Sequence, residues 1–225
     1  MIRVLVVDDE ALVRTGFQHI LDSAQDITVV AAVPGGQAVG ATRELRPDVV
    51  LLDVRMPDVD GLTVLDALRR LPEPPVVAML TTFDMDEYVA TALRSGAAGF
   101  LLKDTDPEQL PYLVRTLADG GVVLSSKVTR TVVDGYLDND AREPATQRVA
   151  RLTDRERAVL VLVAEGLSNT DIGARMHLSA STVKDHVSSL LGKLEVGSRV
   201  QAALLADRAG LLKPVREPGR DGAGA

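Results

Sequence analysis

Short β-branched and aliphatic runs alternate with helical patterns through the first half of the chain. The runs fall at residues 2–7, 27–33, 49–52, 76–80 and 99–102, and most lack polar alternation. Between the first two, Ala11, Leu12, Phe17, Ile20 and Leu21 recur at a spacing of 3.6 residues and form one apolar helical stripe. Strands that are apolar on both faces belong inside a parallel sheet covered by helices on both sides. The pattern therefore predicts an α/β unit, a doubly wound five-stranded parallel sheet, over residues 1–118.

The pattern changes after residue 150. No strand-like run follows, and three helix starts take capping-box form: Thr153 with Glu156, Ser168 with Asp171, and Ser198 with Gln201. A further helix opens after Ser179, in which Val183, Val187, Leu190, Leu191 and Leu194 make a single buried stripe. Residues 151–213 thus read as an all-α domain of four helices. Its opposite face carries Ser181, Thr182, Lys184, Asp185, Ser188 and Ser189, small side chains around one lysine. Such a thin polar face fits a DNA major groove, about 12 Å wide. The short helix before it, Asn169–Met176, joins through His177, Leu178 and Ser179, a turn of helix-turn-helix length. A small bundle used for protein contacts fits the pattern equally well.

Composition refines this division. The 225 residues carry 25 Lys+Arg, 32 Asp+Glu and no Cys. Disulfides, thiolate catalysis and sulfur-held zinc are excluded. The longest apolar run, 158–164, is far too short to span a membrane, and the N-terminus lacks a signal-peptide pattern. A soluble, cytoplasmic protein is expected. The net charge of −7 as a sum argues against nucleic acid, but it is unevenly spread. Residues 1–118 hold −8, 119–150 hold −1, 151–213 hold +2, and 214–225 balance. Two domains with different partners follow, joined by a linker at 119–150 and ending in a disordered tail at 214–225.

Ligand sites in parallel sheets lie beyond the carboxyl ends of the strands. There the first strand ends in Asp8 and Asp9, the third in Asp53, the fourth in Thr81 and Thr82, and the fifth in Lys103. Singly these are ordinary turn and cap residues. Together they place three carboxylates, a hydroxyl and an ammonium on one rim. Clustered carboxylates repel unless a cation or proton intervenes, and oxygen-only ligation suits Mg²⁺. Lysine and hydroxyl then suit phosphoryl oxygens.

These strings resemble the receiver domain of bacterial two-component response regulators, a flavodoxin-like fold, across about 118 residues: Val-Val-Asp8-Asp9-Glu10, Leu-Leu-Asp53-Val-Arg55-Met56-Pro57, Gly61, Leu-Thr81-Thr82 and Gly-Phe100-Leu-Leu-Lys103. The resemblance implies that Asp53 is the phosphoacceptor. It implies that Asp8, Asp9, Asp53 and the backbone carbonyl of Arg55 arrange Mg²⁺. Lys103 would pair with the phosphoryl oxygens, Thr81 would move to hydrogen-bond one, and Phe100 would follow as a rotameric switch.

The second domain resembles the LuxR-type helix-turn-helix output. The matching strings are Leu-Thr153-Asp-Arg-Glu156, Glu-Gly166-Leu-Ser168-Asn169, Ile172, and Ser181-Thr182-Val183-Lys184-Asp-His186-Val187 through Lys193-Leu194. Receiver plus this output is the arrangement of NarL/FixJ-type response regulators. The resemblance implies DNA contacts from Ser179, Ser181, Thr182, Lys184, Asp185, Ser188 and Lys193. It implies homodimer pairing through the helix at 199–209, by Arg199, Val200, Ala203 and Leu204. It also implies a sensor histidine kinase as phosphodonor and promoter DNA as target, with no membrane partner and no enzymatic turnover. The alternative is a phosphorylation-independent regulator whose receiver serves dimerisation or ligand binding.

Four residues depart from easy expectation. Pro111 falls inside the helix read over 107–118, so that helix should start late or irregularly, leaving the receiver's dimer face open to question. Arg55 either contacts the phosphoryl group or lies in solvent. Asp185 repels phosphate but accepts a hydrogen bond from cytosine N4. Gly192, inside the recognition helix, costs roughly 1 kcal/mol relative to Ala.

Overall fold

The computed structural model describes residues 1–81, 86–124 and 144–212. Thr82, most of the linker at 119–150 and the tail at 214–225 lie outside the described residues.

Five strands, β1 (Ile2–Val7), β2 (Ile27–Val33), β3 (Val49–Asp53), β4 (Val76–Thr81) and β5 (Gly99–Leu102), pair in parallel in the order β2-β1-β3-β4-β5. Helices α1 (Ala11–Asp22), α2 (Ala38–Leu45), α3 (Gly61–Arg69), α4 (Asp86–Arg94) and α5 (Leu110–Ala118) connect and cover them. Strand alternation divides the core. Leu5, Val7, Val50, Leu52 and Met79 pack with Leu65, Leu68 and Leu93 on one face. Val4, Val6, Leu51 and Leu80 pack with Phe17, Leu21, Val114 and Leu117 on the other. The period of two along each strand sends successive side chains to opposite faces, and both faces are apolar because helices cover both.

Two strands run one residue further than the apolar runs. Asp53 pairs with Leu80, and Thr81 pairs with Leu102, so both polar residues sit on the sheet itself and not on a loop beyond it. Helix α5 begins at Leu110 instead of 107, which places Pro111 in its first turn. There its missing N–H leaves no helical hydrogen bond unmade.

The second unit holds α6 (Ala145–Ala150), α7 (Asp154–Ala164), α8 (Asn169–Met176), α9 (Ala180–Leu194) and α10 (Arg199–Arg208). Helix α6 lies within the segment read as linker. At six residues it is too short to show a periodic stripe, yet Val149 is buried in the helical core. The α9 stripe is buried as its spacing requires, packing with Val159, Leu160, Val163, Ile172, Leu205 and Ala206. Both Thr153 and Ser168 head complete capping boxes. The third box is half made. Ser198 accepts from the Gln201 backbone N–H, but the Gln201 side chain goes elsewhere. Gly173 is required by the α8–α9 turn, because a Cβ there would stand 2.6 Å from the Leu178 carbonyl oxygen. Around Gly192 there is open space, and nothing in the structure explains it. No helix among the described residues is long and apolar enough to cross a membrane.

Candidate functional site

The carboxyl rim of the sheet brings Asp8, Asp9 and Asp53 together, with one oxygen of each within 4.8 Å of the others. Asp8 and Asp53 are buried and Asp9 is half-buried. Lys103 reaches across from the end of β5. Its Nζ lies 3.0 Å from Asp8 Oδ2, 3.1 Å from Asp53 Oδ2 and 3.2 Å from Glu10 Oε1. One ammonium thus faces three carboxylates, two of them buried. Asp8 Oδ2 is paired in charge but receives no well-directed hydrogen bond. A buried carboxylate oxygen left short in this way is a place for a hard cation, and the all-oxygen donor set suits one.

The electrostatics follow from this crowding. Burial pushes the Asp53 carboxyl up to about 6; Asp8 adds to the rise and Lys103 opposes it. Burial works to lower the Lys103 pKa, but the carboxylates of Asp8 and Asp53 outweigh it and hold the ammonium above its ordinary value. Burial chiefly sets Asp53, whereas the neighbouring carboxylates set Lys103.

Local structure fixes the geometry. Arg14, on the second turn of α1, donates from Nη1 to the carbonyl oxygens of Asp8 (2.7 Å) and Asp9 (2.9 Å), pinning the backbone of the acidic pair. The Glu10 N–H donates to Asp8 Oδ1 at 2.9 Å, so Asp8 and not Asp9 serves the start of α1. Gly61 opens α3 against the Asp53 carbonyl, where a Cβ would stand 2.2 Å from that oxygen. The loop between them folds back through an Arg55–Asp60 bridge, and the exposed Arg55 guanidinium lies 5.1 Å from the centre of the Tyr88 ring on α4. This contact leaves Arg55 exposed, one of the two placements anticipated for it. It is a cation–π contact, and it ties the loop after Asp53 to α4. Thr81 is buried at the end of β4, and its carbonyl accepts from the Lys103 N–H at 2.9 Å. Phe100 is buried in the core face that also holds Met79, Val89 and Leu93. Arg14 and Glu10 were missed from the sequence, since their roles depend on where α1 carries them.

On the helical unit, Ser179 caps α9. Its Oγ accepts from the Thr182 N–H at 3.1 Å and lies 2.8 Å from both Ser181 Oγ and Thr182 Oγ1. Lys184, Asp185 and Ser188 are exposed on the helix. Lys193, expected at DNA, instead lies 2.7 Å from Glu156 Oε1, and Ser189 donates to the same oxygen at 2.8 Å. In the DNA-free chain Lys193 is therefore paired with a carboxylate on α7 and braces the fold. The Lys193 contact leads in holding Glu156 down at about 2, against burial, with Thr153 and Ser189 helping.

The two units meet face to face. Val200 is buried in the receiver's own core cluster and Leu204 packs against it, both from α10. Gln201 Nε2 donates to the Leu93 carbonyl of α4 at 2.8 Å, and Arg69 Nη2 donates to the Gly197 carbonyl at 2.6 Å. Lys184 and Ser188 line a cleft whose other wall includes Arg43, Asp48 and Pro72. Of the residues assigned to pairing, Arg199 and Val200 are buried and Ala203 and Leu204 half-buried. The α10 surface expected to receive a second copy is held here by α4.

Each unit matches a known family. Residues 4–115 match the response regulator receiver domain, and residues 150–206 match the LuxR family of bacterial regulatory proteins. The chain is 39% identical over 203 residues to the nitrate/nitrite response regulator NarL of Escherichia coli K12, covering 89% of this chain and 93% of that protein. It is 34% identical over 226 residues to the transcriptional regulatory protein DegU of Brevibacillus brevis, covering 94% and 95%. Among solved structures, the response regulator ChrA of a heme-sensing two-component system is similar with a TM-score of 0.51 and 33% identity, covering 94% of this chain and 98% of that one.

Proposed function

The chain belongs to the response regulators that couple a receiver to a LuxR-type DNA-binding domain and control transcription, and from that premise we propose how its two halves are linked. Asp53 accepts a phosphoryl group from a sensor histidine kinase. Its carboxylate oxygen forms the bond to phosphorus as the donor's bond to its leaving group breaks. Asp8, Asp9, Asp53 and the Arg55 carbonyl would hold Mg²⁺, and the fit rests on the clustered carboxylates and the under-satisfied Asp8 Oδ2. The cation supplies positive charge that keeps Asp53 ionised and offsets the phosphoryl oxygens. Lys103, already between Asp8 and Asp53, follows the new charge, and Thr81 and Phe100 rearrange beside it. The chemistry is positioning plus charge neutralisation, with no turnover of a separate substrate.

The observation that carries the coupling is the packing of α10 on α4. In this conformation the receiver covers both Leu204 and Val200 on the pairing helix and walls the cleft beside Lys184 and Ser188. Phosphate shifts the equilibrium only if it favours one conformer over another. The Arg55–Tyr88 contact offers a route, because it joins the loop after Asp53 to the helix on which α10 rests. Once released, Val200, Ala203 and Leu204 pair two copies. Ser179, Ser181, Thr182, Lys184, Asp185 and Ser188 meet promoter DNA, and the modest +2 of that domain makes two copies necessary for firm binding. The structure of two RcsB dimers bound to two DNAs, 22% identical with a TM-score of 0.53, shares the fold of both units.

Incubation with Mg²⁺ and acetyl phosphate, followed by intact-mass measurement, tests the first step. One phosphoryl adduct on the wild type and none on Asp53→Ala are expected. An unmodified wild type would favour the phosphorylation-independent alternative.

A further inference from the structure

Asp119, the residue that ends α5 of the receiver, sits on the N-terminus of α8, the first helix of the helix-turn-helix. Its carboxylate accepts from the Thr170 backbone N–H (Oδ2, 3.3 Å) and from the Thr170 hydroxyl (Oδ1, 3.0 Å). Its carbonyl accepts from the Asn169 N–H at 3.0 Å. The first turn of any helix presents N–H groups with no partner inside the helix. In α8 the Asp171 N–H is taken by Ser168 Oγ within the capping box, and the two preceding N–H groups are taken by the receiver.

The approach is close because Gly120 allows it. Gly120 has φ +74°, and a Cβ there would stand 2.6 Å from Asn169 Nδ2. A second feature marks the place as one for an anion. Arg199 is only 7% exposed, donates from Nη1 to Asn169 Oδ1 at 2.9 Å and from Nη2 to the Leu167 carbonyl, and keeps an Nε with no hydrogen-bond partner among the described residues. A buried guanidinium that braces the first residue of α8 adds positive charge beneath the helix end. The charge of Asp119 acts on that guanidinium.

The first helix of a helix-turn-helix crosses the DNA backbone, and helix N-termini with nearby hydroxyls are common phosphate contacts. We propose that Asn169, Thr170 and the underlying Arg199 form a DNA-phosphate site, and that Asp119 fills it as a carboxylate surrogate in the unphosphorylated chain. The receiver then blocks DNA by occupying one of its backbone contacts, as well as by covering the pairing helix. This rests on the closed-to-released reading above and assigns it a particular competitor, since phosphate and Asp119 need the same two donors on Thr170.

The test uses the full-length, unphosphorylated chain and a short random-sequence DNA duplex at low salt, where backbone contacts dominate binding. Wild type, Asp119→Ala, Thr170→Val and the double variant are compared by fluorescence anisotropy, with thermal melts to show that each is folded. Asp119→Ala is expected to bind at least about fivefold tighter than wild type. Adding Thr170→Val should cancel most of that gain, because the phosphate loses its hydroxyl donor. An Asp119→Ala affinity equal to wild type overturns the proposal. So does a double variant that binds as tightly as Asp119→Ala, because Asp119 would then be a simple clamp and not a surrogate. Phosphorylated wild type, run in parallel, tests the underlying reading by itself: a failure to gain affinity there defeats that reading, whatever the Asp119 variants do.

Discussion

Gln201, on the last helix, donates a buried 2.8 Å hydrogen bond from Nε2 to the carbonyl oxygen of Leu93, on α4 of the receiver. Its Oε1 accepts from the Gly197 N–H at 2.6 Å, so one amide side chain satisfies a group on each domain. Replacing it with Leu removes a hydrogen bond made in the closed form only, leaving the Leu93 carbonyl with the Gly96 N–H alone, at a cost of about 0.5–1.5 kcal/mol. The Gln201→Leu chain should therefore bind duplex DNA several-fold tighter than wild type without phosphorylation. Anisotropy titrations at one salt concentration would show it, and an unchanged affinity would remove this contact from the switch.

Asp53 makes a pH prediction whose sign is fixed by its raised pKa. The folded state holds its proton up to about pH 6, whereas an unfolded chain releases it near the ordinary carboxylate value. Ionising Asp53 therefore destabilises the metal-free fold; the cost is absent below about pH 4, grows between pH 4 and 6, and is complete above. Asp53→Asn should be more stable than wild type by about 1–3 kcal/mol near neutral pH, with the gap closing towards pH 4. Urea melts in the presence of a chelator measure this. Restoring Mg²⁺ should stabilise wild type more than Asp53→Asn, because binding to the native state adds to its stability.

Glu156 has the opposite sign. Lys193, with Thr153 and Ser189, holds its carboxylate near 2, below the unfolded value. The stability it contributes is present above about pH 4.5 and is lost as pH falls from there towards 2. Glu156→Gln should weaken the helical domain by about 1–3 kcal/mol at neutral pH. In acid melts the loss relative to wild type should shrink. Lys193→Ala should reproduce much of the effect while leaving DNA affinity close to wild type, which separates a brace from a DNA contact.

Much of the fold was legible because its signals are local. Strand runs and the α9 stripe are written in nearby positions, and the capping boxes at Thr153 and Ser168 span four residues each. The acidic rim was legible too, because strand ends in a parallel sheet converge wherever the loops go. What escaped depends on contacts between distant segments. Helix α6 is only six residues long, and it is held by burying Val149 in a core formed by later helices. Arg14 acts by reaching back along α1 to the Asp8 and Asp9 carbonyls. Lys193 reads as a basic residue on a DNA-reading helix, and only the position of Glu156, 37 residues earlier, shows the ion pair it makes in the fold. The third capping box was half right for the same reason: Gln201 found a better partner in Leu93, 108 residues away. Charge patterning told of two domains with different tasks but not that one covers the other.

The central claim is that a phosphoryl group on Asp53 releases α10 and α9 from the receiver. Its most direct measurement is the duplex-DNA affinity of the full-length chain before and after treatment with Mg²⁺ and acetyl phosphate, beside Asp53→Ala treated identically. Wild type should gain on the order of tenfold or more, within the usual range of allosteric coupling, and Asp53→Ala should gain nothing. Equal affinities for phosphorylated and unphosphorylated wild type, with the mass adduct present, would contradict it.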